Sequence, residues 1–182
     1  MESREEAQLM SEAEMSRSLA RLAQEIVERN NGTEGLALVG IRRRGVPLAQ
    51  RLAKIIADLE KTQIPVGVLD INLYRDDFSS VATQPVIQRT EINFPIPEKT
   101  IVLVDDVLYT GRTIRAAMDA LLDFGRPKAI QLCVLIDRGL RELPIEANYV
   151  GKHVQTSQHE SVEVRLAETD RQECVVLTSG IK

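Results

Sequence analysis

Apolar residues recur along the chain at two alternating periods. Met15, Leu19, Leu22, Ala23, Ile26 and Val27 fall at helical spacing and predict an amphipathic helix. Ser11-Glu12-Ala13-Glu14 before it reads as a capping box, and Asn30-Asn31-Gly32 after it as a stop. Leu36-Ala37-Leu38-Val39 is short, continuous and apolar, which predicts a buried strand. A second helix follows, with Pro47 near its first position and Leu48, Leu52, Ile55 and Ile56 on its face. Val66 to Ile71 and Ile101 to Val104 predict two more strands, the latter buried on both faces. Ile114, Ala117, Met118, Leu121 and Leu122 then share one face of a third helix, which Gly125 and Pro127 stop. Further strands are predicted at Ala129 to Ile136, Val162 to Leu166 and Cys174 to Leu177. Residues 72–99 have no sustained period and carry three prolines, which predicts a long loop, disordered or a lid. The alternation predicts one α/β domain over residues 1–182: a mostly parallel twisted sheet flanked by helices, with a small hood from the later segments.

Composition narrows the class. At 182 residues, 43% hydrophobic and 27% charged, the chain fits one globular domain. No stretch approaches the roughly 20 apolar residues of a membrane span, and MESREEAQL does not read as a signal peptide. Cys133 and Cys174 lie in apolar runs with no C-x-x-C, which predicts core thiols in a reducing cytoplasm. A net charge of −4 argues against a general polyanion binder and leaves room for a local basic patch.

The candidate chemistry sits in Thr100 to Phe124. An apolar strand ends in Asp105 and Asp106, and Val107 and Leu108 lead to the turn Tyr109-Thr110-Gly111-Arg112-Thr113, where the third helix begins. Such a junction puts functional groups at the C-terminal edge of a sheet, where open α/β sheets bind ligands. Free N–H groups at a helix start suit a phosphate, and Thr110 and Thr113 add hydroxyl donors. Carboxylates repel phosphate but accept hydrogen bonds from ribose hydroxyls, and they favour positive charge developing on a sugar ring. A strand ending in two aspartates also suits a P-loop ATPase. That reading needs G-x-x-x-x-G-K-[ST], and Asp106 and Arg112 stand where a glycine and the lysine belong. A second strand-to-helix loop, Gly40-Ile41-Arg42-Arg43-Arg44-Gly45, frames three arginines with glycines and suits a polyanion; which arginine faces it stays open.

Val102 to Thr113 resembles the phosphoribosyl-pyrophosphate (PRPP) motif of type I phosphoribosyltransferases. The resemblance implies ribose binding by Asp105 and Asp106, 5′-phosphate binding by the turn, and diphosphate binding by Ile41 to Gly45, with Mg2+ carried by PRPP. It also favours a lid for residues 72–99. Val39 to Gly45, Leu73-Tyr74-Arg75-Asp76-Asp77, Asp137 to Pro144 and Tyr149-Val150-Gly151-Lys152 together resemble the bifunctional pyrimidine-operon attenuation regulators / uracil phosphoribosyltransferases (PyrR type). That family implies a cytoplasmic homo-oligomer, a dimer or higher, that makes UMP from uracil and PRPP. It also implies binding of the operon's leader mRNA when UMP or UTP is bound. By the same resemblance Tyr149 would wall the base, with Val150 offering backbone bonds and Arg138 nearby, while Arg141 and Lys152 would face RNA. Glu146 lies between those two cations, and Ala20 and Gln24 stand where attenuating relatives, as aligned, carry threonine and histidine. A hypoxanthine/guanine-type transferase without RNA binding is the alternative. Those enzymes carry an aspartate where Tyr109 stands and a magnesium-binding aspartate where, as aligned, Thr156 stands, so both positions speak for a pyrimidine.

Overall fold

The computed structural model describes residues 6–72, 74 and 89–179. The chain opens with β1 (Glu6–Ser11) and α1 (Glu12–Arg29), followed by β2 (Leu36–Ile41), α2 (Gly45–Glu60) and β3 (Val66–Leu69). Next come β4 (Thr100–Leu108), α3 (Arg112–Leu122), β5 (Ala129–Asp137) and β6 (Tyr149–His153). The last elements are β7 (Glu160–Arg165), the single turn α4 (Ala167–Asp170) and β8 (Cys174–Ser179).

Five strands form a parallel sheet in the order β3-β2-β4-β5-β6. The apolar runs read from sequence are its central strands, and their alternate residues feed two cores. Val102, Val104, Cys133 and Leu135 pack with Leu19, Leu22 and Ile26 of α1 and Leu48, Leu52 and Ile56 of α2. Ile101, Leu103, Leu132 and Val134 pack on the other face with Ile114, Ala117 and Leu121 of α3. Each such fully buried leucine or isoleucine contributes about 2 kcal/mol. The capping box closes as expected: Ser11 N–H donates to Glu14 Oε2 at 2.8 Å and Glu14 N–H to Ser11 Oγ at 3.3 Å.

Three expectations change. Leu122, placed on the buried face of α3, is 51% exposed, and Ala116 and Ala120 are buried instead. The apolar stripe is therefore rotated toward Ala116 and Ala120. Within the 72–99 stretch, residues 73 and 75–88, including Arg75, Asp76 and Asp77, lie outside the described residues. Residues 91–96 are packed: Glu91 exchanges two backbone hydrogen bonds of 2.8 Å with Val68, and alternate Ile92, Phe94 and Ile96 cover the α3-side core. The hood is also larger than predicted. It is an antiparallel sheet in the order β1-β8-β7, so the N-terminal strand belongs to it as well as the later segments.

Candidate active site

The site grows from the sheet's topology. The strand order turns back between β2 and β4, which lie side by side with Gly40 opposite Val104. The two loops leaving these strands therefore open into one crevice, the switch point at which α/β sheets bind ligands. After β4, Asp105 is 6% exposed and accepts a hydrogen bond from the Asp106 N–H at 2.9 Å; Asp106 accepts one from the Val107 N–H at 2.8 Å. Both carboxylates are thus held at the mouth of the turn by the backbone that follows them.

The turn itself forms a cleft. Residues Val107 to Ile114 line a cleft of about 260 Å³, closed on one side by Glu142. Gly111 caps α3 at φ 94°, a conformation favouring glycine, and a Cβ there would press on Ile145 at 3.3 Å. The N-cap Gly111 offers no side chain, so the start of α3 keeps N–H groups beyond that of Arg112 for an acceptor in the cleft. Thr110 Oγ1 accepts from Arg112 N–H at 3.3 Å, and the Thr110 carbonyl accepts from the Glu142 and Leu143 N–H groups. Arg112 Nε donates to Glu142 at 2.8 Å, so a carboxylate sits at the rim of the cleft. No local pattern announces Glu142; it arrives from a loop 30 residues downstream.

The Gly40–Gly45 loop needs its two glycines. A Cβ on Gly40 would lie 2.6 Å from the Gly45 carbonyl oxygen, and one on Gly45 would run into the Val104 carbonyl. The close approach lays the loop against β4. Among the described residues the N–H groups of Arg43 and Arg44 have no acceptor, which leaves them for an anion. The arginines separate in role. Arg42 Nη2 donates to the Arg89 carbonyl at 3.0 Å, Arg44 pairs with Asp170 of α4, and Arg43 is exposed.

A wider cleft of about 800 Å³ adjoins the turn at the ends of β5 and β6. Arg138 is 6% exposed there; its guanidinium carbon lies 4.0 Å from the centre of the Tyr109 ring. It donates to Thr156 Oγ1 at 3.0 Å and to the carbonyls of Ser157 and Glu160. Tyr149 does not join it. Tyr149 pairs with Cys133, four residues before the end of β5, roughly 13 Å below the ligand edge. Its ring is 2% exposed in the α1-side core, and its hydroxyl donates to Gln131 at 2.8 Å and accepts from Asn30 at 3.1 Å. The aromatic wall read from sequence is therefore a core residue, because strand parity turns it toward α1. Val150 faces the opposite core, and its carbonyl accepts from Arg21 at 3.1 Å.

The two cations assigned to RNA are engaged. Arg141 donates to Ile145 O, to Tyr109 O and to Asp137 Oδ2, each at 2.8 Å, so it ties the phosphate turn to the end of β5. Burial pushes the Asp137 carboxyl up, yet bonds from Arg141 and the Gly139 N–H outweigh it and hold it below the usual range. Lys152 Nζ donates to the Leu9 carbonyl at 2.8 Å and joins β6 to the hood. Among the described residues no group of three or more His, Cys, Asp or Glu side chains is placed to hold a metal.

Comparison with known proteins agrees with this geometry. Residues 7–169 match the phosphoribosyl transferase domain family. The chain is 62% identical over 174 residues to the Bifunctional protein PyrR of Pelotomaculum thermopropionicum, covering 96% of each. It is 58% identical to that of Thermus aquaticus, covering 94% of each, and 54% identical to that of Clostridioides difficile, covering 95% of this chain and 98% of the relative. Among solved structures, a hypoxanthine phosphoribosyltransferase of Trypanosoma cruzi superposes with a TM-score of 0.72 at 16% identity, over 98% of this chain and 93% of that one. A Staphylococcus aureus hypoxanthine phosphoribosyltransferase gives 0.68 at 21% identity, over 95% and 90%. These last likenesses concern the fold, which is the type I phosphoribosyltransferase fold. With two strand-to-helix loops meeting at the switch point and relatives of one kind along nearly its whole length, the chain belongs to the PyrR-type bifunctional proteins of the phosphoribosyltransferase family.

Proposed function

We propose that the protein is a uracil phosphoribosyltransferase working as one domain in the cytoplasm, and that it also binds pyrimidine-operon leader mRNA in a uridine-nucleotide-dependent way. The observation that carries the reading is the pairing of an acidic strand end with an unpaired amide loop on the neighbouring strand. PRPP then lies across both: 5′-phosphate on Tyr109–Thr113, ribose hydroxyls on Asp105 and Asp106, diphosphate on the Gly40–Gly45 loop. Uracil N1 bonds to C1 of the ribose as the C1–oxygen bond to diphosphate breaks; diphosphate takes the electron pair and N1 loses its proton. The carboxylates favour the positive charge that develops on the ring, so the protein contributes position and electrostatics more than covalent chemistry.

Asp105 and Asp106 are oxygen donors that would suit a Mg2+ arriving on substrate oxygens, and such an ion would neutralise charge on the leaving diphosphate. Arg138, stacked on Tyr109 and anchored to Thr156, is the base-side group in this reading, and Tyr109 has no carboxylate with which to assist a purine. The PyrR name of relatives at 54–62% identity favours this over a hypoxanthine/guanine enzyme, as do these two residues. The relatives' bifunctional name also supports RNA binding, and the family a homo-oligomer.

Incubation with PRPP, Mg2+ and labelled uracil or hypoxanthine tests the reading: UMP forms faster than IMP. Asp105→Asn with Asp106→Asn lowers UMP formation at least about a hundredfold, as loss of electrostatic stabilisation does. Faster use of hypoxanthine, or unchanged turnover in the double variant, refutes it. A gel shift with the leader RNA tests the second activity, and no UMP-enhanced shift at low salt ends that half.

A further inference from the structure

We infer that Asp170 is a positioning residue for the diphosphate half of the reaction: it grips Arg44 and so fixes the Gly40–Gly45 loop against the hood. The inference rests on the transferase reading of that loop. The Arg44 fork meets the carboxylate with both ends, Nε to Oδ2 at 3.1 Å and Nη2 to Oδ1 at 2.7 Å. The carboxylate is itself immobilised, since Oδ2 also accepts from the Leu166 N–H at 2.9 Å and the Thr169 hydroxyl at 2.6 Å. Both partners are partly buried, unlike a solvated surface pair. The titration of each agrees: the hydrogen bond to Asp170 raises Arg44, and the one from Arg44 lowers Asp170.

Arg44 is also the N-cap of α2, and no side chain caps that helix. Its φ sets the direction of its own N–H relative to α2, and that N–H has no acceptor among the described residues. A side chain clamped to a second sheet removes freedom from that peptide before substrate arrives, and amides already aimed at a developing anion cost nothing to reorganise. Arg44 is therefore the strut of the arginine triplet and Arg43 the cation left for the ligand. Two turns further along α2, Arg51 binds Glu168 and Glu173 of the same hood segment. That pair docks the hood without touching the loop, which makes it the natural control.

The test is steady-state kinetics with PRPP and uracil varied separately and pyrophosphate as product inhibitor, on folded protein checked by thermal melting. Asp170→Asn raises the KM for PRPP and the pyrophosphate inhibition constant about tenfold, and leaves the KM for uracil within about twofold. Asp170→Glu recovers part of the loss, and Arg51→Gln lowers the Tm with the KM for PRPP unchanged. An unchanged KM for PRPP, an equal rise for both substrates, or the same rise in Arg51→Gln overturns the inference. Should Asp170→Asn fail to fold, Arg44→Lys keeps the charge, loses the fork and must show the same PRPP-specific rise; without it the inference fails. If the wild-type protein makes no UMP at all, the transferase reading fails first and the inference falls with it.

Discussion

Gly45 is where two forces on one residue oppose each other. It is the first residue of α2, and alanine there gains about 1 kcal/mol of helix propensity over glycine. Its Cβ would collide with the Val104 carbonyl, which is backbone of the central strand and cannot swing aside. The clash wins: Gly45→Ala is expected to lose about 3 kcal/mol, the upper range for overpacking, and roughly 6–12 °C in Tm. Thermal melting checks this, and a Tm within a degree or two of wild type means that the loop yields. At this scale the sequence was legible where neighbours in the chain are neighbours in the site. Asp105, Asp106 and the Tyr109–Thr113 turn are one contiguous stretch, with the carboxylates at the end of β4 and the turn lining the cleft that follows. Glu142 against Arg112 and Asp170 against Arg44 were not legible, because 30 and 126 residues separate the partners. Arg141 and Tyr149 had readable identities but unreadable directions, which strand ends and strand parity decide.

Among the elements, α4 shows how little secondary structure is needed to join two sheets. It spans only Ala167–Asp170, yet it and Glu173 meet α2 through Arg44 and Arg51. Glu168 and Glu173 are held below the ordinary carboxylate value of 4.5 first by their hydrogen bonds from Arg51, and Asp170 below 3.8 first by its bond from Arg44. A folded-state pKa that is depressed means that the unfolded chain binds more protons below the ordinary value. The stabilisation is therefore complete above about pH 4.5 and is lost as pH falls through the folded values. Melting curves should be flat in Tm from neutral pH to about 5 and decline below it, and Arg51→Gln should make that acid decline shallower. An unchanged slope in Arg51→Gln would mean that other carboxylates carry it. Four of the five parallel strands were legible as apolar runs, while β6 was not, since Tyr149-Val150-Gly151-Lys152-His153 turns polar after two residues. The segment 91–96 was not, since Pro95 interrupts its alternate Ile92, Phe94 and Ile96, Pro97 follows, and a single bridge to Val68 holds it.

For the molecule as a whole, the N-terminal strand decides whether the hood is a sheet or a frayed hairpin. Glu6-Ala7-Gln8-Leu9-Met10-Ser11 has a weak apolar pattern, and it is a strand because β8 offers it an edge. Three ties fasten it: Met10 is 2% exposed in the main core, Lys152 reaches the Leu9 carbonyl, and Glu6 pairs with Arg165. Without it β8 becomes an exposed edge strand, open to pairing with another chain. Deleting residues 1–10 while keeping Ser11 leaves the α1 cap in place, so the loss isolates the strand. Burial of Met10 contributes about 2–3 kcal/mol, and the exposed ion pair at Glu6 less than about 1. A Tm drop of roughly 6–12 °C follows, with aggregation growing with concentration in light scattering. The two anion loops stand on the other sheet and keep their own contacts, so at low temperature the truncated protein should retain the wild-type KM for PRPP. A large rise in that KM would show that the hood acts on the loop through the whole sheet rather than through the Asp170–Arg44 pair alone.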